Sequence, residues 1–577
     1  MRNTTAGICA ASLLVLANCA SAQTSVYDCK PVQLTEADNG AILNADLAND
    51  PFMQSHPALT QLNDRVWTVH GYSLANCTFV ITDAGVVVFD TGNNIGQGKY
   101  FLSQIRSVTD KPIIAIIYSH THYIGGAAAF LEGAAGDVEV YAHPLLAEIS
   151  STEVALAQGR WRRSNMQFGA YLPKAGPDAR ATTPEPDFDT DEDRAFGGLP
   201  VTHAVQDGET VVIGGVTFQF LWTPADTLNS LSVWLPDLET VLTNTVSNMY
   251  YPLYTLRGET YRDPNDIIGS YDRLRSLPIR YYAPVHGKPI SGKDDVHETL
   301  TLQRDAYSYT YNQTVRGINA GKTPDEMAAS IHLPPHLADA EGLNEVYSEV
   351  SFAVRGIYRG LMGWFDEDTT ELHPPEAAVL GQAIVDGFGG GGAVLAAAAK
   401  AQEEGDYNLA AKLAKYAVDA EPDNDAAKLA LARSLRSLSQ VSVSLQAHNF
   451  YMTEALDLEG KTNRFAPPAD PVFAFSAKLP LMRMSSIDLA KLLESRINPE
   501  KSGSLQRVYR LNLADTGEQV FVQIRRGVAE VTGQYSGSVD EDVTLTRPEL
   551  MAALTGRLPP ETCEPISAVC DFFDIFQ

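Results

Sequence analysis

Two histidines one residue apart follow the apolar run Ile113 to Ile117, in the stretch IIAIIYSHTHYIGGAAAF, and a glycine pair comes almost at once behind them. On an extended segment the side chains of His120 and His122 fall on the same face, so both rings can reach one ion at about 2.0–2.1 Å. Neutral imidazoles converging from a rigid strand end are what metal-assisted hydrolysis needs. The tripeptide alone is a weak signal in a chain with 12 histidines. Its context strengthens it: a buried strand ahead, Gly125 and Gly126 behind, and an earlier strand that ends in Asp90-Thr91-Gly92. Asp90 reads first as a cap for the turn after its strand.

The elements that must hold this corner are β-rich and punctuated by turns. VWTVHGY from Val66 is a strand, and CTFVITDAGVVVFDTG reads as two strands turning at Asp83 to Gly85. The helical GQGKYFLSQIRSV leads to the histidine segment. VEVYAH (Val138 to His143), VTFQFLW (Val216 to Trp222) and SLSVWLP are further strands. Strands alternating with helices through about residue 290 predict a layered α/β domain. Lys174 to Gly198, rich in Pro, Asp and Gly, reads as a long surface loop.

Beyond about residue 296 the pattern turns helical. Thr323 and Glu326 form a capping box in TPDEMAASI. Gly405 to Leu435 is a helix, a turn and a helix with Ala410, Leu413 and Ala417 facing inward; a second copy, which a solenoid would need, is not evident. Gly389 to Gly392 lacks the lysine and Ser/Thr of a phosphate loop and reads as a linker. His143 reads as a strand-end histidine, and His332, His336 and His373, beside prolines, as structural. From about Phe473 strands and helices mix again. SSIDLAKLLESRI is an amphipathic helix, and VYRLNLADTGEQVFVQIRRGVAEVTG alternates as a hairpin turning at Asp515 to Gly517.

At 577 residues the chain needs three or four domains. Its composition is ordinary, with 45% hydrophobic and 20% charged residues, but the formal net charge is −28. Such a surface repels phosphate backbones and anionic lipid, which argues against nucleic acid or a membrane as partner. The start, MRNTTAGICAASLLVLANCASAQ, has an early Arg, an apolar run from Ile8 to Ala17 and a small-residue exit at Ala20-Ser21-Ala22. That layout is a secretory signal peptide over residues 1–22, so the mature protein is expected to be exported, periplasmic or secreted. Lipidation at Cys19 is the alternative, with Asn18 a poor residue before it. Cys29, Cys77, Cys563 and Cys570 then remain; an oxidising compartment permits pairing, with a short Cys563–Cys570 loop among three open connectivities.

The histidine segment resembles the metallo-β-lactamase superfamily pattern, a strand followed by HxHxDHxGG. Within that superfamily the chain resembles the alkylsulfatases. YTLRG (Tyr254 to Gly258), GWFD (Gly363 to Asp366) with ELHPP after it, GDYNLAAKLA, NFYMTEALDL (Asn449 to Leu458) and DTGE (Asp515 to Glu518) fall in that family's order, nearly end to end. The resemblance implies a zinc-binding metallo-β-lactamase αββα sandwich over residues 53–295, an α-helical dimerisation domain over 296–445, and an α+β sterol-carrier-protein-like domain over 446–577. The last would offer an apolar surface for an alkyl tail; Phe473, Phe475, Leu479 and Leu481 are candidates for it or for core. The implied reaction is hydrolysis of a small amphipathic sulfate ester to alcohol and sulfate by a homodimer with no membrane span.

The departures from the pattern carry as much information. SHTHYIGGA matches SHTHYDHIGGA if Asp-His is deleted, and those two residues serve the second metal in the superfamily. TPADTLNSLSVWLP resembles TPGHTxxSLxxxLP and puts Asp226 at a ligand position. The sulfatases' bridging carboxylate falls on Asn244, a neutral side chain and an expected substrate contact instead. The last superfamily histidine falls on His286, after the strand RYYAPV, as a ligand or catalytic group. The matching arginine, Arg257, is expected to grip sulfate; its alternative is an ion pair with Glu259 or Asp263. The implied metal set is thus His120, His122 and Asp226, with His286 alone at the second position. One Zn²⁺ is expected rather than two, Fe²⁺ or Mn²⁺ also suiting the ligands, and a metal-free protein remains the alternative. Three functions stay open: an alkylsulfatase with a reduced site in which Asp226 and His286 act, a disabled homologue that binds an amphipathic ligand, and a hydrolase of another ester.

Overall fold

The computed structural model describes residues 32–146, 155–181, 186, 188–250, 252–469, 471, 484–554 and 567–576. The leader, Cys29, Cys563, Phe473, Phe475, Leu479 and Leu481 lie outside them. The chain divides into two compact units, one of residues 1–146 and 162–474, the other of 147–161 and 475–577.

In the first unit a small hairpin, β1 (Leu34–Glu36) and β2 (Ile42–Asn44), precedes two large sheets. The first has seven strands in sequence order: β3 (Ala58–Gln61), β4 (Val66–His70), β5 (Cys77–Ile81), β6 (Val86–Phe89), β7 (Ile113–Ile117), β8 (Ala134–Ala142) and β9 (His203–Ala204). The second has six: β10 (Thr210–Ile213), β11 (Val216–Trp222), β12 (Leu231–Leu235), β13 (Thr240–Val246), β14 (Tyr281–His286) and β15 (Ile290–Ser291). The turn between β5 and β6 closes as read, with Thr82 N–H donating to Gly85 O at 2.8 Å. β7 is parallel to both neighbours, β6 and β8, and is covered on both faces, which is why IIAII is apolar without alternation.

Val80, Val87, Phe89 and Ile117 of the first sheet meet Phe218, Phe220, Val233 and Leu242 of the second in one buried cluster. Outside the first sheet the helix Ile95–Arg106 and the turn Ala127–Gly133 pack Phe101, Ile105 and Phe130 against Val86, Val88 and Ile116. Outside the second, helices Pro264–Arg275 and Lys293–Asn319 pack Tyr271, Leu274, Leu300 and Tyr307 with Val241 and Tyr282. The result is the expected αββα order. Residues 182–185 and 187 are not described; the rest of the Lys174–Gly198 loop holds only the short helix Asp191–Arg194.

The helical part begins with the Thr323/Glu326 capping box. Helices Ala377–Phe388 and Gly391–Glu403 bend by 85° at the glycine linker. Gly389 and Gly390 there have φ of 91° and 116°, a conformation that side chains disfavour. Tyr407–Ala420 and Asp425–Val441 are the helix pair read from the sequence. Among the described residues no single helix is long and apolar enough to cross a membrane.

The second unit holds a four-stranded sheet, ordered β18 (Val528–Thr532), β17 (Gln519–Arg525), β16 (Gln506–Leu513) and β19 (Glu541–Leu545). Its apolar face, Tyr509, Leu511, Val522, Ile524 and Val543, is buried under Leu489, Leu550, Phe572 and Phe573. The other face carries ion pairs such as Arg510 with Asp542 at 2.6 Å. The sheet therefore presents no bare apolar face for an alkyl tail among the described residues, because its own helices cover it. Cys570 is disulfide-bonded, whereas Cys77 is a free, buried thiol in β5.

Candidate metal centre

The site forms where β7 ends and the sheets meet. Leu231 N–H, at the start of β12, donates to Ser119 O at 2.8 Å and ties the histidine segment to the Asp226 loop. The histidine segment closes onto the end of β6: Thr91 N–H donates to Tyr123 O at 2.9 Å and Gly126 N–H to Gly92 O at 3.2 Å. A Cβ on Gly125 or Gly126 would lie 2.0 Å from the Asn93 or Thr91 carbonyl oxygen, so only the glycine pair permits this closure.

His120 is fully buried. Its Nδ1 lies 2.7 Å from Ser119 Oγ, and that hydroxyl donates to Asp90 Oδ2 at 2.6 Å. Asp90 Oδ1 accepts from Ser119 N–H at 2.8 Å. Burial pushes the Asp90 carboxyl up to about 6, against the pull of His120 and Ser119, which leaves it ionised at neutral pH. With the Ser119 proton committed to Asp90, Ser119 Oγ accepts from His120 Nδ1–H. The lone pair of His120 is thereby placed on Nε2.

That Nε2 is buried without a hydrogen-bond partner and lies 3.3 Å from Asp226 Oδ2. His122 Nδ1 is 2.8 Å from the same oxygen. Burial would raise the Asp226 carboxyl, but positive charge at the two imidazoles, which a shared proton or a metal ion supplies, outweighs it and holds the group well below the usual carboxylate range. A lone pair facing a carboxylate oxygen in a buried site is repulsive unless a cation lies between them. The donor set fits a divalent ion for that reason. Among the described residues, ligand atoms of His120, His122 and Asp226 all lie within 4.8 Å of one another.

The remaining expected residues fall into place differently. Asn244 was expected to contact substrate, but it is buried and its Nδ2 donates to Asp226 Oδ1 at 2.8 Å and Ser230 Oγ at 2.9 Å. It orients the ligand carboxylate, turning Oδ2 toward the histidines. Both Asp226 oxygens are thus engaged, Oδ1 by Asn244 and Oδ2 by the two histidines.

His286 stands outside the cluster. Its Nδ1 donates to Leu74 O at 2.8 Å, and its Nε2, the nitrogen a metal would need, faces the Tyr123 hydroxyl at 3.4 Å. The Tyr123 ring lies edge-on to both His120 and His286, with centroids 5.1 and 5.4 Å away. This phenol thus lies against the one histidine that the resemblance puts at a second metal position. Asp90 accepts from Ser119 and orients His120 through it.

Burial pushes the His286 imidazole down to about 4. Between that value and the ordinary 6.5 the unfolded chain binds the extra proton, so this group's stabilisation is complete above pH 6.5 and is lost as pH falls toward 4. In metal-free protein, His286→Asn should flatten the fall in denaturant stability over that window by up to about 1.4 kcal/mol per pH unit. An unchanged slope would contradict the assignment; the opposing titration of Asp90 is common to both proteins.

Arg257 is mostly buried, its backbone N–H donates to Gln167 Oε1 at 3.0 Å, and its guanidinium pairs with Glu259. Burial would lower the guanidinium, and Glu259 more than offsets it, so its charge is secure. Its Nε is buried with no partner. Of the two sequence readings, the ion pair with Glu259 is thus present, but inside the protein and beside His122, not on a surface. Glu259, which the sequence offered only as an ion-pair partner of Arg257, also pairs with Arg262 and lies 4.0 Å from His122 Nε2. His143 stacks on Trp222 with centroids 6.0 Å apart, in keeping with a structural role.

Comparison with known proteins agrees with this architecture. The metallo-beta-lactamase superfamily model matches residues 70–286, and the alkyl sulfatase dimerisation model matches residues 323–461. A linear primary-alkylsulfatase of Pseudomonas sp. is 32% identical over 502 residues, covering 82% of this chain and 91% of that protein. An (R)-specific secondary-alkylsulfatase of Pseudomonas sp. is 26% identical over 536 residues, covering 90% and 79%. The solved structure of the stereoselective inverting sec-alkylsulfatase Pisa1 from Pseudomonas sp. shares the fold, with a TM-score of 0.78 at 22% identity, over 97% of this chain and 93% of that one.

Proposed function

The chain belongs to the alkylsulfatase family of the metallo-β-lactamase superfamily, and on that premise we propose that it hydrolyses sulfate esters of alkyl alcohols with a single metal ion. The observation that carries this reading is the unpartnered, buried Nε2 of His120 facing Asp226 Oδ2 beside His122. His120, His122 and Asp226 would hold the ion, and zinc is the expected metal. A divalent ion there would supply Lewis acidity and lower the pKa of bound water to about 7.

The chain's own groups do the rest. Asp90 and Ser119 keep the His120 proton on Nδ1, and Asn244 keeps Asp226 turned toward both histidines. Arg257 binds the sulfate oxygens, its fixed positive charge offsetting an acidic protein that would otherwise repel the substrate. Water adds to the ester, its proton leaves with the alcohol, and sulfate is the second product. The test is sulfate release from a long-chain alkyl sulfate by zinc-loaded and chelator-treated protein. Release that depends on metal supports the reading; stoichiometric zinc with no release favours a binding protein.

We also propose export, supported by the signal-peptide pattern of residues 1–22. The dimerisation family match implies a homodimer. Within its span Trp364 is 66% and Val379 59% exposed, with Leu372, Leu380 and Phe388 exposed nearby in the chain. Apolar side chains left open in this number are expected in a subunit contact. Val379→Glu with Trp364→Asp should shift the protein from dimer to monomer in sedimentation analysis, and an unchanged dimer would place the contact elsewhere.

A further inference from the structure

The anion grip and the metal ligand share one carboxylate. Glu259 Oε2 pairs with Arg262, a guanidinium whose side chain is only 4% exposed and which also donates to Pro252 O at 2.6 Å. Glu259 Oε1 pairs with Arg257 and lies 4.0 Å from His122 Nε2. The other nitrogen of that ring, Nδ1, is the one turned to Asp226. When Nδ1 serves as a ligand the ring proton sits on Nε2, and a ligating histidine nearly always donates that N–H to a carboxylate or carbonyl. Glu259 Oε1 is the carboxylate oxygen in position to accept it, and Arg257 holds that oxygen.

We propose that Glu259 is a positioning residue that couples the two halves of the site. An oxyanion that takes the Arg257 guanidinium releases Oε1 to accept from His122 Nε2–H, while Arg262 keeps Oε2 matched. Anion and metal then strengthen each other's binding by the same factor. The coupling rests on the metal and Arg257 assignments of the proposed function and adds to them a link that neither assignment needs.

The test is zinc affinity of the metal-stripped full-length protein, by competition with a chromophoric chelator, with and without inorganic sulfate. In the wild type sulfate should tighten zinc by about 10-fold. With sulfate present, Glu259→Gln should bind zinc about 10-fold more weakly than the wild type, having lost most of the sulfate effect. Arg257→Gln frees Oε1 without any anion; it should bind zinc more tightly than the wild type and respond little to sulfate. Direct attraction between zinc and sulfate is common to the wild type and Glu259→Gln, so their difference is the readout, and a gain in Arg257→Gln cannot come from a damaged fold. The full sulfate effect surviving in Glu259→Gln, or no gain in Arg257→Gln, overturns the coupling alone. A wild-type protein that takes no zinc overturns the coupling together with the metal reading beneath it.

Discussion

Replacing His120 with alanine should strip the ion from the purified protein and reduce sulfate release from a long-chain alkyl sulfate by more than about 10³-fold. The expectation follows from burial and from the tautomer. His120 has no solvent to replace it as a ligand, and its Nε2 lone pair is the one fixed in place through Ser119 and Asp90. His122 and Asp226 alone leave two protein ligands, one short of the three that catalytic zinc sites ordinarily use. Asp226 keeps His122 and Asn244 as partners in the variant, so the carboxylate is not stranded. Activity and zinc content should therefore fall together in a protein that still unfolds cooperatively. Retention of release without zinc would separate the chemistry from this cluster.

Arg257→Ala should lower kcat/KM by about 10²-fold or more with zinc still bound. The guanidinium supplies charge-assisted donors to an anion in a partly desolvated site, where such contacts are worth more than in water. Arg257→Lys should recover only part of the loss, because an ammonium cannot present the planar fork. The check is steady-state kinetics on a series of alkyl sulfates, with inorganic sulfate as inhibitor. The loss should be uniform across chain length and the inhibition constant should rise with it. A loss confined to long chains would place Arg257 at the alkyl tail instead.

What the sequence made legible was local. β7 announced itself by an unbroken apolar run rich in isoleucine, the β5–β6 turn by Asp83 to Gly85, and the Thr323 cap by its partner three residues on. The histidine pair was visible because two ligands lie within one tripeptide, and Asp226 because its surrounding motif survives. What was missed is tertiary. Asp90 and Ser119 are 29 residues apart, and no spacing rule pairs them. Glu259 was readable as an Arg257 partner, but only the fold brings it to His122.

Two candidate residues have neighbours that the motif comparison does not give, for physical reasons. His286 looked like a surviving second-metal ligand because its strand, β14, is intact. In the structure Tyr123 fills the space beside it, and a motif comparison does not show which side chain fills a gap. Asn244 looked like a failed bridging ligand facing substrate. Its amide instead matches the outer oxygen of Asp226, a contact across 18 positions between a loop and β13.

The central claim is that one ion, held by His120, His122 and Asp226, serves this site while His286 is withheld by Tyr123. Counting zinc per chain by elemental analysis, in protein purified without chelators, tests it most directly. The account predicts one zinc per chain, lost in His120→Ala and kept in His286→Asn. Two zinc ions per chain, or a single ion that survives His120→Ala and leaves with His286→Asn, would contradict it.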